Sequence, residues 1–157
     1  MAHFAFSNYN YGVDGDRGNH AGPKLLLCDD SPVERMALAH LLRQEGYDVD
    51  ESGDGNSAIL HIKNRHVDLL LLDLEMDKGD GFAVLKYLQE HHRALPVVLL
   101  SGLPADEIQH RMHSLPTPEL PPLFLKPIDV EHLLQVVALL LSGEIPADGA
   151  MKPDQIV

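Results

Sequence analysis

The chain has 157 residues, 24 acidic against 12 basic side chains, a formal net charge of −12 and 45 % hydrophobic residues. That length supports one domain with a proper core, the apolar content excludes disorder throughout, and the acidity argues against chain-wide attraction to nucleic acid or anionic membrane. The single cysteine, Cys28, cannot close an internal disulfide, so a reducing, cytoplasmic setting is expected. No apolar stretch approaches the roughly 20 residues needed to span a bilayer, and the start, Met1-Ala2-His3-Phe4, has no secretory pattern.

Residues 1–22 lack apolar periodicity and read as a flexible N-terminal extension. A first strand is predicted over 24–28. A helix follows, with Ser31 as N-cap, Pro32 in the first turn, Glu34 closing a capping box and Gly46 past its end. Its apolar positions are taken as Val33, Met36, Ala37, His40 and Leu41. The short alternating run near 47–51 reads as an edge strand. Asp54-Gly55 turns into a helix near 56–65 with Ala58, Ile59 and Ile62 inward. The third strand, 67–72, is nearly all apolar and so buried on both faces. Gly79-Asp80-Gly81 leads into a helix at 81–91 with Phe82, Val84, Leu85 and Leu88 on its core side. A fourth strand at 96–100 precedes a weaker helix near 105–114. The proline-rich stretch 116–122 cannot be regular helix. The fifth strand is 123–125, and a strongly apolar helix spans 129–141. Residues 142–157 read as a tail or the beginning of a linker.

Five strands alternating with five helices imply a three-layer α/β sandwich with a parallel five-stranded sheet and helices on both faces. Right-handed crossovers put every carboxyl end of a strand on one edge, and a ligand binds where the strand order reverses. For order 2-1-3-4-5 that point lies between strands one and three, which end in Asp29-Asp30 and Asp73. Strand four ends in Ser101 and strand five in Lys126-Pro127.

Three carboxylates this close repel. At ~5 Å and an effective dielectric of ~20, each ionised pair costs roughly 3 kcal/mol. Lys126 offsets part of that, and a hard divalent cation offsets more. Mg2+, or Mn2+ in its place, suits one or two carboxylates plus waters and phosphate oxygens. Asp30 and Asp73 suit direct ligands, and Asp29 a ligand through water. A metal-bound carboxylate can act as nucleophile towards an activated phosphoryl group, whose transfer needs charge neutralisation and positioning above all. Taken singly, Asp29-Asp30 reads as a polar turn, Ser101 as a loop hydroxyl and Lys126 as a surface lysine. Only the set makes a site.

With Asp29-Asp30, Asp73-Leu74-Glu75-Met76, Gly81, Ser101 and Lys126-Pro127 in order at strand ends, residues 23–141 resemble the receiver domain of two-component response regulators. The resemblance implies a flavodoxin-like fold. It implies Asp73 as phosphoacceptor, Asp29 and Asp30 as the acidic metal pair, the backbone carbonyl of Glu75 as a further metal ligand, Ser101 as switch hydroxyl and Lys126 as phosphate sensor. It also implies a cis Lys126-Pro127 bond, cheap only before proline. The donor would be a histidine kinase or a histidine phosphotransfer protein. A downstream partner or output domain would be met through the face of the fourth helix, fifth strand and fifth helix. No direct nucleic-acid or membrane binding is expected, and no enzymatic activity beyond self-catalysed phosphoryl transfer and slow autodephosphorylation.

The chain departs from the family pattern at three places. Asp77 stands where proline is common, which loosens that loop and adds a negative charge. Leu123 holds the usual position of the switch aromatic; Phe124 follows it, and alternation sends the two to opposite faces, which argues against a hydroxyl–aromatic rotamer switch. The 25 residues from Ser101 to Lys126 are more than is typical. These departures motivate the competing reading, a receiver-like interaction module that works without phosphorylation. An aspartate-nucleophile phosphatase would use Glu75 as second acid, but Glu75 follows the third strand rather than the first. A flavin phosphate would be repelled by Asp29-Asp30. Glu75 itself reads as an exposed acid that either tunes water access or does nothing special. The ten histidines read as solvated surface groups; His91-His92 suit a helix end, and His110 with His113 is too little for zinc. Cys28 reads as core packing.

Overall fold

The computed structural model describes residues 22–77, 80–91, 94–116 and 120–144. The expected extension and tail fall outside the described residues except at Gly22 and Ser142–Glu144, as do Gly79, His92 and Pro118. The strands are β1 (Lys24–Cys28), β2 (Asp48–Ser52), β3 (Leu69–Asp73), β4 (Val97–Ser101) and β5 (Leu123–Leu125). The helices are α1 (Pro32–Gln44), α2 (Gly55–Asn64), α3 (Gly81–His91), α4 (Ala105–Met112) and α5 (Val130–Ser142). All pairings are parallel, in the order β2-β1-β3-β4-β5.

Side-chain alternation divides the core between the two faces of the sheet. Leu25, Leu27, Leu69, Leu71, Val98, Leu100 and Phe124 pack on one face with residues of α1 and α5. Leu26, Cys28, Leu70, Leu72, Val97 and Leu99 pack on the other with residues of α2, α3 and α4. Burial of both faces explains the unbroken apolar runs of β1, β3 and β4. Each fully buried leucine contributes about 1.5–3 kcal/mol through removal from water.

β3 and β4 run one residue further than the apolar pattern suggests. Asp73 remains in the ladder opposite Leu100, and Ser101 remains in the ladder opposite Leu125. Polarity at the last position therefore does not end the strand; the backbone pairing continues beneath it.

The largest correction concerns α1. Its buried residues are Leu38, Ala39 and Leu42, whereas Val33 and Met36 are 80 % and 62 % exposed and Ala37 and His40 are also exposed. The helix starts beyond the carboxyl end of β1, so its first turn overhangs the sheet edge and meets no core. Only the second half lies over the sheet. The capping box is also only half made. Ser31 Oγ accepts the Glu34 N–H at 3.4 Å, but the Ser31 N–H is taken by Asp29 Oδ1 at 2.8 Å, which frees the Glu34 carboxylate for another partner. Gly46, at φ 93°, supplies the left-handed turn after the helix.

The other N-caps follow side-chain chemistry. Asp54 accepts the Ser57 N–H at 2.7 Å, and Asp129 accepts the His132 N–H at 3.1 Å. Two histidines are not solvated as expected: His61 lies half-buried 3.1 Å from Asp50, and the ring of His132 lies 5.2 Å from that of Phe124. Among the described residues no helix is long and apolar enough to cross a membrane.

Candidate functional site

β1 and β3 deliver two aspartates side by side at the carboxyl edge of the sheet. Asp29 is 3 % and Asp73 1 % exposed, so both carboxylates sit beneath the surface. Asp29 Oδ1 is occupied by the Ser31 N–H, and Arg35 Nη1 donates to the Asp29 carbonyl oxygen at 2.7 Å. Asp73 Oδ1 accepts the Glu75 N–H at 2.9 Å, and Asp73 Oδ2 accepts from Lys126 Nζ at 3.0 Å. Lys126 is brought there by the turn after β5: its N–H donates to the Ser101 carbonyl at 2.8 Å, and the Lys126–Pro127 bond is cis, as expected.

Burial dominates the electrostatics. It pushes the Asp29 carboxyl up to about 6, with Asp73 adding repulsion, while the Ser31 N–H and Lys126 act against the rise. Burial raises Asp73 as well, against the Glu75 N–H and Lys126. Desolvation alone would lower the Lys126 ammonium, but hydrogen bonds to Glu34 and Asp73 reverse this and hold it above its ordinary value. Thus the lysine is charged, and the two aspartates share a proton affinity that a metal cation would relieve.

Glu34 is a member of this site that the sequence pattern did not single out. Its carboxylate reaches Lys126 Nζ at 2.8 Å, and oxygens of Asp29, Glu34 and Asp73 all lie within 4.8 Å of one another. The signal available was its place four residues after the acidic pair on the first turn of a helix. Its apparent use in a capping box concealed that signal.

The remaining predicted residues stand around this centre. Asp30 is half-buried and turned to the β3–α3 loop, where Asp30 Oδ2 accepts the Asp77 N–H at 3.2 Å. A proline at position 77 could not make that bond. Ser101 is fully buried, and its Oγ accepts the Leu103 N–H at 2.9 Å. Glu75 is half-buried rather than exposed, and its Oε2 accepts the Gly102 N–H at 3.2 Å, joining the loops after β3 and β4. Gly81 closes the loop from below. A Cβ there would lie 2.5 Å from the Asp73 carbonyl oxygen and 2.7 Å from Leu74 Cα, so only glycine lets α3 start this close to the end of β3. Arg111 of α4 is ion-paired with Asp80 and lies over the Phe82 ring, 3.9 Å from its centroid. Phe124 is buried at 8 % exposure on the α1/α5 face, while Leu123 packs on the opposite face.

A family model described as the response regulator receiver domain matches residues 25–138. The sensor protein EvgS of Escherichia coli (strain K12) is 40 % identical over 73 residues, which are 46 % of this chain and 6 % of EvgS. The chain therefore spans a small part of the length of that relative. Among solved structures, the signal receiver domain of a signal transduction histidine kinase from Syntrophus aciditrophicus is 27 % identical with a TM-score of 0.70, over 78 % of this chain and 92 % of that one. The response regulator TrrA from Thermotoga maritima, in complex with Mg(2+)-BeF, is 22 % identical with a TM-score of 0.64, over 74 % of this chain and 96 % of that one.

Proposed function

The chain belongs to the response regulator receiver family, and from that premise we propose that Asp73 accepts a phosphoryl group from a phosphohistidine on a histidine kinase or phosphotransfer protein. The observation that carries this reading is the Lys126 Nζ–Asp73 Oδ2 contact of 3.0 Å, beside a second buried carboxylate at the edge where the strand order reverses. In the transfer, a P–O bond forms to an Asp73 carboxylate oxygen as the P–N bond breaks, and the donor imidazole leaves with that electron pair. Lys126 neutralises charge on the phosphoryl oxygens, and the Ser101 hydroxyl donates to one of them once it has turned from the Leu103 N–H.

The donor set fits a hard divalent cation: it offers oxygen atoms alone, and those of Asp29 and Asp73, together with Glu34, lie within 4.8 Å of one another. Asp29, Asp30, Asp73 and the Glu75 carbonyl would hold Mg2+, as a relative was solved with Mg(2+)-BeF. When bound, the cation supplies neutralisation of the phosphoryl charge. The receiver unit is taken as 23–141. Its activity is self-catalysed transfer and slow hydrolysis, and its output leaves through α4, β5 and α5. Because Leu123 faces away from Phe124, the signal passes through the Ser101–Leu103 segment and α4 rather than through a turning aromatic.

Beryllium fluoride with Mg2+ tests this reading. Amide resonances of Ser101, Gly102 and Lys126 shift in the parent and not in Asp73→Asn. An unresponsive parent sinks the proposal.

A further inference from the structure

Glu34 and Lys126 are 92 residues apart in sequence and meet only through the fold. The lysine ammonium has three N–H donors. One goes to Glu34 at 2.8 Å and one to Asp73 at 3.0 Å, with Asp29 at 4.0 Å. An incoming phosphoryl group therefore finds Lys126 already shared between carboxylates. Asp29 and Asp73 are held by the strands and by backbone N–H groups, so neither can yield. The Glu34 side chain is different. It is 55 % exposed, it sits on the overhanging first turn of α1, and its carboxylate is not used in the cap. Among the described partners of Lys126, it is the one that can swing into water at little cost.

We propose that Glu34 is a positioning residue of the acceptor site: it holds the Lys126 ammonium at rest, competes with phosphoryl oxygens for it, and so sets how readily the site takes up a phosphoryl group. The proposal rests on the reading of Asp73 as acceptor. An exposed ion pair shifts an equilibrium by at most about fivefold, so Glu34 adjusts the threshold of the site and does not block it. Glu34 also lies within reach of Asp29 and Asp73, and direct metal ligation is the alternative that the experiment must separate.

Binding of Mg2+ alone, then of beryllium fluoride at saturating Mg2+, is followed through the Ser101 and Gly102 amide resonances of the full chain. Glu34→Gln and Glu34→Ala bind beryllium fluoride about two- to fivefold more tightly than the parent. The gain disappears when Lys126→Gln is combined with either. Mg2+ alone binds within about fivefold of the parent. Equal or weaker beryllium fluoride binding overturns the proposal, as does a gain that persists without Lys126. A loss of Mg2+ affinity beyond fivefold overturns it in favour of metal ligation. Failure of the parent itself to bind beryllium fluoride strikes instead at Asp73 as acceptor, whatever the Glu34 variants do.

Discussion

Asp29 and Asp73 are two carboxylates that the fold has removed from water, and their proton affinities follow. Both carboxyls titrate higher in the folded chain than in the unfolded one, with Asp29 at about 6 against an ordinary 3.8. Between those values the folded chain binds more protons than the unfolded chain, so stability falls as pH rises through that window. A rise of about two pH units in one carboxyl corresponds to roughly 3 kcal/mol. In the absence of divalent metal, the stability of the parent relative to Asp29→Asn falls by that order as pH rises from about 4 through about 6, measured by urea unfolding at each pH. A flat difference would show that Asp29 is not desolvated as described. The thiol of Cys28 obeys the same physics: burial pushes it up to about 12, so it is an uncharged packing group at neutral pH. The meeting of Asp29, Asp73 and Lys126 was legible in the sequence because each stands where an apolar run stops. Glu34 was not, because a glutamate three residues after a serine fits a helix cap equally well, and only the spatial return of β5 shows which use prevails.

At the scale of elements, α3 could be read from its apolar spacing to the residue, while α1 could not. Val33, Met36, Ala37 and Leu41 form as good a stripe as Leu38, Ala39 and Leu42, and periodicity cannot tell which stripe the sheet covers. The overhang of α1 past the sheet edge decides it. Accordingly, Met36→Gln changes unfolding free energy by no more than about 0.5 kcal/mol, whereas Leu42→Ala costs about 2–5 kcal/mol in the same denaturant titration. A large loss at Met36 would contradict the helix orientation. The β3–α3 loop offers a second test. The Asp77 N–H donates to the Asp30 carboxylate at 3.2 Å, and Asp30 is not in the group of oxygens that lie within 4.8 Å of one another at Asp29, Glu34 and Asp73. Asp77→Ala keeps that N–H and Asp77→Pro removes it. A hydrogen bond is worth about 0.5–1.5 kcal/mol, so calorimetric titration finds Mg2+ bound several-fold more tightly by Asp77→Pro than by Asp77→Ala. Equal affinities would mean that the bond does not restrain Asp30.

Across the whole molecule, the parallel sheet turns separate strand ends into one site. Four polar strand ends 29–126 in the sequence converge because every crossover returns the chain to the same edge. This much followed from the alternation of strand and helix patterns, and the observed order β2-β1-β3-β4-β5 agrees with it. Which side chains face each other across that edge depended on loop geometry: the turn that carries Lys126 back to Asp73, the contact of Glu75 with Gly102, and the close seat of Gly81. None of these has a periodic signature. On the proposed reading, this edge makes Asp73 a phosphoacceptor. Incubation of the full chain with Mg2+ and a small acyl phosphate, followed by intact-mass and peptide mapping after borohydride trapping, tests it directly. One phosphoryl group is expected, placed on Asp73 and absent from Asp73→Asn. A parent chain that gains no phosphoryl group, or carries it on another residue, would contradict it.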